Sequence, residues 1–221
     1  MFRDIDSGVL SRLRQVDSIL EFLSDGTLTD EVKNSDFYRT QKGLLFVAMY
    51  ASLEFSITQS VTRALEVIGQ ENAPANKFKS PVLCSIFDSH FKALRECGSN
   101  KVWENRHKLV LSIIGNENIS NVDSSVFPSG GSMNISPKQL DSVWTFFDVE
   151  GSSLPEGVQH FFLSEVKEHR NAIAHGRETA ANIGRRFNVD QLSDRAVKIR
   201  LLCSHITSAF SVYCINKHYF S

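Results

Sequence analysis

An all-α fold, a bundle of about six to seven helices, is what this sequence predicts, and three observations predict it. Apolar residues return every three to four positions over most of the chain. No stretch alternates apolar and polar residues as a half-buried strand does, and no internal repeat or low-complexity tract is present. The 221 residues, 42% hydrophobic and 22% charged, are enough to bury a core and predict a single helical domain over residues 1–221.

The helices follow from their apolar positions and their stops. Leu10, Leu13, Val16, Leu20 and Leu23 recur at helical spacing, and Asp25-Gly26 ends that run. A longer helix is predicted from Phe37 to Ile68, with Leu45, Ala48, Phe55, Val61 and Leu65 apolar and Gly69 as its stop. Its middle is apolar nearly all round, which predicts a central position. Ser80-Pro81 opens the next, through Ile86, Phe87, Phe91 and Leu94, because proline is tolerated in a first helical turn. Lys101 to Ile114, closed by Gly115, reads as another.

Asn116 to Ile135, rich in Asn, Ser and Gly and without periodicity, is predicted as a loop. Ser136-Pro137 restarts a helix through Leu140, Val143, Trp144 and Phe147. Gly151-Ser152-Ser153 and Pro155 separate it from a helix over Glu156 to Ala174. Finally Asn188, with Gln191 three residues on, reads as a capping box before a long helix through Leu192, Ala196, Ile199, Cys203, Ile206, Phe210 and Tyr213.

A net charge of −1 and a pI near 6.7 argue against a protein that binds nucleic acid by charge alone, so any such contact must be local. Leu163 to Arg200 holds eight Lys or Arg against five Asp or Glu, a balance of +3. No apolar run follows the first residues, and the longest, Leu44 to Ala51, is too short for a bilayer. A soluble cytoplasmic protein without a membrane partner is the expectation. Cys84, Cys97, Cys203 and Cys214 lack paired spacing and are expected to be reduced, buried on helix faces. Cys214 with His218, and Cys203 with His205, lack the tight ligand pairs of a structural zinc site, so no metal is assigned.

The stretch from Glu165 to Arg177, Glu-Val-Lys-Glu-His-Arg-Asn-Ala-Ile-Ala-His-Gly-Arg, is where chemistry concentrates. Arg170 and His175 are separated by four residues near a helix end. An arginine offers a fork of donors that fits phosphate oxygens, and an imidazole exchanges protons near neutral pH. Five positions amount to about 140° around a helix axis, so the two do not share a face, whereas Asn171 and His175 do. Gly176 suggests that the helix stops at the histidine, where the long arginine side chain can bend towards it. A plainer reading stands beside this one: Lys167, His169, Arg170 and His175 as cations favoured at a helix C-terminus by the macrodipole.

The segment Arg-Asn-Ala-Ile-Ala-His-Gly resembles the signature of the HEPN superfamily, in the form seen in RiboL-PSP-type and MAE-type members. The resemblance implies an HEPN-like helical bundle and a metal-independent endoribonuclease with no cofactor, in which a ribose 2′-hydroxyl attacks its neighbouring phosphate and leaves a 2′,3′-cyclic phosphate. It implies that His175 moves the proton, that Arg170 binds the scissile phosphate and that Asn171 orients the histidine or a phosphate oxygen. It also implies RNA as substrate, a homodimer with a composite active site, and a toxin or phage-defence role with an antitoxin or defence partner. Where a tyrosine that accepts AMP stands in toxins paired with nucleotidyltransferases, this chain has Arg177, which argues against that mode of control.

Glu54, in the apolar middle of the second helix, is expected either to brace Arg170 or to face solvent. Glu165 is expected as a solvated or dimer-rim charge. Arg177, Arg185 and Arg186 are candidates for gripping the RNA backbone, or plain surface arginines. No P-loop, dinucleotide fingerprint, zinc-protease histidine pair or nucleophile elbow is present. A non-catalytic HEPN module binding RNA, nucleotide or protein, and a helical adaptor with a coincidental motif, are the competing expectations.

Overall fold

The structure, a computed structural model, describes residues 1–119, 122–127 and 134–221. Among these, ten α-helices and two single-turn 3-10 helices occur and no strand, so the fold is all-α. The helices are α1 (Arg3–Leu23), α2 (Asp30–Lys33), α3 (Asp36–Gln70), α4 (Ser80–Ile86), α5 (Asp88–Glu96), α6 (Val102–Ile114), α7 (Pro137–Phe147), α8 (His160–Ala174), α9 (Ala180–Gly184) and α10 (Val189–Ile215).

Ten exceeds the predicted six to seven for identifiable reasons. Helices α2 and α9 are single turns, too short to show periodicity, each capped by a threonine: Thr29 Oγ1 accepts from Val32 N–H and Thr179 Oγ1 from Asn182 N–H. The helix predicted through Leu94 is two, because Phe87, buried, leaves helical geometry (φ −99°, ψ 17°) between α4 and α5. Helix α8 starts at His160 rather than Glu156, since Gly157 takes a left-handed φ of +82° and turns the chain first. The predicted loop over Asn116 to Ile135 falls partly on residues 120, 121 and 128–133, which lie outside the described residues. Within it, Asn118 bridges to Pro74, and Ile135 is fully buried.

The described residues gather into two compact units. The first takes Met1–Ile57, the segment ending at Lys138, and Ser153–Thr207. Its core is built by Ile5, Val9, Leu13 and Val16 of α1, Leu45, Phe46, Met49 and Leu53 of α3, Leu163 and Val166 of α8, and Leu192, Ile199 and Leu202 of α10. Each fully buried side chain of this size contributes roughly 1.5–3 kcal/mol. Two glycines allow α9 to lie close on α3: a Cβ on Gly43 would strike the carbonyl of Ala180, and one on Gly184 the carbonyl of Arg39. The second unit takes Thr58 to Phe127, Gln139–Ser152 and Ser208–Ser221. Trp144 and Phe147 meet Phe210 edge-on there, at 5.7 and 5.4 Å between ring centroids.

By length and composition α3 alone among the described helices is long and apolar enough to cross a membrane, yet 56% of that window is buried inside the protein. It is a core helix, as its nearly uniform apolar middle predicts. The four cysteines are unpaired, as expected; Cys203 and Cys214 are buried, whereas Cys84 is exposed and Cys97 half-buried, against the expectation that all sit in the core.

Candidate active site

Helix α8 ends in a tight reversal that decides where its motif residues lie. His175 is the C-cap residue, Gly176 adopts φ +67°, and the N–H groups of Gly176 and Arg177 return to the carbonyls of Ile173 and Ala172 at 3.1 and 2.9 Å. With His175 N–H on Asn171, the carbonyls of Asn171, Ala172 and Ile173 are all taken by backbone donors rather than by cationic side chains. This closure leaves His175 exposed, its imidazole making no hydrogen bond or ion pair with a described residue.

Arg170 is held from several sides. Its Nη1 donates to Asn134 Oδ1 at 3.0 Å and to Asn171 Oδ1 at 2.8 Å. Its Nη2 lies 3.6 Å from Glu54 Oε2, and its Cζ sits 4.6 Å from the ring centroid of Tyr50. Tyr50 and Glu54, one turn apart on α3, present this ring and carboxylate on one face. The Tyr50 hydroxyl in turn accepts from the Ile135 N–H at 2.5 Å, which fixes the segment carrying Asn134.

Burial pushes the Tyr50 phenol up to about 12, so it remains protonated at physiological pH. Burial also raises the Glu54 carboxyl, while the Arg170 guanidinium pulls the other way. A half-buried carboxylate beside a half-buried guanidinium keeps either charge from standing alone.

The structure thus brings Arg170, Asn171 and Glu54 together. Asn171 is buried and turned to the arginine, rather than to the histidine or outward. Arg177 and Arg185 are exposed, and Arg186 pairs with Glu178. The capping reading of the α8 cations meets other partners: Lys167 contacts Glu168 at 3.0 Å, and His169 packs edge-on against Phe46 and Phe187 at 4.7 and 5.4 Å. Glu165, expected as a solvated or dimer-rim charge, is largely buried and takes Arg195 of α10 through two oxygens.

Two members of the cradle escaped the sequence. Tyr50 carried no sign beyond membership of an apolar run, and Asn134 sits in a polar stretch 36 residues before Arg170. No local pattern links such positions. Among the described residues no three His, Cys, Asp or Glu side chains gather as a metal-ligating group.

A family model described as RiboL-PSP-HEPN matches residues 9–211 of the chain. No curated protein and no solved structure matches it.

Proposed function

The chain belongs to the RiboL-PSP-HEPN family, and from that membership we propose that it is a metal-independent endoribonuclease. The observation that supports this reading is a guanidinium fixed by Tyr50, Asn134, Asn171 and Glu54, close in sequence before an exposed imidazole at the same helix end. In the reaction a ribose 2′-oxygen bonds to phosphorus while the bond from phosphorus to the 5′-oxygen breaks. The 2′-hydroxyl proton leaves to a base and a proton reaches the departing 5′-oxygen. Arg170 holds the phosphate and its growing charge, and His175 carries one of the two protons. A twofold dimer supplies the second histidine from another copy of the motif. Arg177 and Arg185, exposed and without described partners, grip the flanking backbone more readily than Arg186, which Glu178 engages. The biological role proposed is a cytoplasmic toxin or phage-defence effector restrained by a partner protein.

One observation favours a second reading, a non-catalytic RNA-binding module. Both hydrogens of Arg170 Nη1 are taken by asparagine oxygens and Glu54 stands beside Nη2, so the arginine already has anionic and polar company. Induced expression of the native chain against His175→Ala in a bacterial host separates the two. Growth arrest with 2′,3′-cyclic phosphate ends for the native chain alone is the expected result. Absence of cyclic ends from cells, and from RNA incubated with the purified protein, rules the ribonuclease out.

A further inference from the structure

We infer that Tyr50 and Asn134 are positioning residues that fix the Arg170 guanidinium so that its Nε–Nη2 edge grips the scissile phosphate. The inference rests on the ribonuclease reading and adds to it the geometry of the grip.

A guanidinium has five hydrogens, two on Nη1. Asn134 Oδ1 and Asn171 Oδ1 accept from Nη1 at 3.0 and 2.8 Å, which uses both. Nε makes no hydrogen bond with a described residue, and Nη2 approaches Glu54 at 3.6 Å as an ion pair, longer than a direct hydrogen bond. Nε and Nη2 lie on one edge of the fork and match two oxygens of a phosphate side by side. One face of the plane is covered by the Tyr50 ring at 4.6 Å. Three constraints, two acceptors on one nitrogen and a ring beneath, leave a long flexible side chain a single orientation.

Asn134 is a fixed wall of this cradle and not a displaceable cover. Ile135 next to it is fully buried, and its N–H is tied to the Tyr50 hydroxyl at 2.5 Å. Moving Asn134 away would expose an apolar side chain and strand a buried N–H, so the acceptor stays when substrate arrives. Tyr50 therefore acts twice, as the surface under the guanidinium and as the anchor of the segment that holds its Nη1.

The test compares the native chain with Asn134→Ala, Asn134→Asp and Tyr50→Phe in two measurements. Single-turnover RNA cleavage is expected to fall roughly 10- to 100-fold in Asn134→Ala, the cost of a misplaced group. Asn134→Asp, which keeps the acceptor oxygen, is expected to recover most of the rate. Tyr50→Phe, which keeps the ring and loses the anchor, is expected to fall between them. Side-chain nitrogen NMR supplies a readout free of activity: the Arg170 Nη signals are expected to be resolved in the native chain and averaged by rotation in Asn134→Ala. Cleavage by Asn134→Ala at the native rate, or no recovery in Asn134→Asp, overturns the inference while leaving the ribonuclease standing. If the native chain cleaves no RNA, the ribonuclease reading falls and the NMR decides the positioning: unchanged Arg170 signals in Asn134→Ala overturn it, and averaged signals support it.

Discussion

Glu165 and Arg195 form a two-pronged ion pair, Arg195 Nε donating to Oε2 at 3.0 Å and Nη2 to Oε1 at 2.8 Å, and so tie the motif helix to the last helix. Both side chains are largely buried, at 16% and 18% exposure, and Arg195 also covers the Phe187 ring at 4.8 Å. Removing one partner strands the other in a poorly hydrated place. Arg195→Ala is expected to lower the unfolding free energy by about 2–3 kcal/mol, somewhat less than for a fully buried pair. Urea unfolding checks this, and a midpoint equal to that of the native chain refutes it.

The two motif residues differ in how cleanly each can be removed. His175 is exposed and without described partners, so His175→Ala is expected to change stability by no more than about 0.5 kcal/mol. Arg170→Ala takes the donor from Asn134 and Asn171 and the cation from beside Glu54, and is expected to cost about 1–3 kcal/mol. Thermal melts of the two variants side by side test the contrast, which makes the histidine the better probe of activity.

Gly43→Ala and Gly184→Ala are each expected to destabilise by about 1–3 kcal/mol, because the added methyl meets a backbone carbonyl at the crossing of α3 and α9. Gly26→Ala, where an added Cβ meets nothing, serves as the control and is expected to be near neutral. Equal stability of all three variants would refute the close crossing.

His169 gives stability a pH dependence of definite sign. Its packing against Phe46 and Phe187 pulls its pKa below the ordinary 6.5, burial being the main cause. The unfolded chain therefore binds the proton more readily. The stabilising contribution is complete above the unfolded pKa, near 6.5, and is lost as pH falls through the lower folded one. His169→Phe, which keeps an aromatic ring in place, is expected to flatten the decline as pH falls below the ordinary histidine value, as followed by unfolding midpoints. A decline identical to that of the native chain counts against it.

Burial raises the Cys203 and Cys214 thiols to about 12, whereas Cys84 is exposed. A thiol reagent is expected to modify Cys84 first and to reach Cys203 and Cys214 only as the protein unfolds. Mass mapping of modified peptides over time checks the order.

What the sequence disclosed follows the range of each signal. The reciprocal box of Asn188 and Gln191 is present, with N–H to side-chain oxygen distances of 2.9 and 2.8 Å, because both partners lie within one turn. The central place of α3 and the stop at Gly176 were equally local. The break at Phe87 was hidden because no glycine or proline marks it; burial of the ring holds it there. Arg170 was visible through its motif, but the residues that orient it come from a different helix and from a polar stretch without periodicity. Glu54 was marked as a charge in an apolar helix middle, which calls for a partner, whereas the contacts of Tyr50 and Asn134 with Arg170 have no local signal.

Helix α3 carries Gly43, Tyr50 and Glu54 along one stripe, since seven and eleven residues bring a helix back to within about 20° of its starting direction. The first meets α9 and the other two meet Arg170. The gene is consequently constrained in length here as well as in letters. Losing a single codon between Gly43 and Tyr50 would rotate the crossing by about 100° against the cradle, so insertions and deletions are to be tolerated in the connecting segments and purged from this helix, whatever amino acid they add or remove.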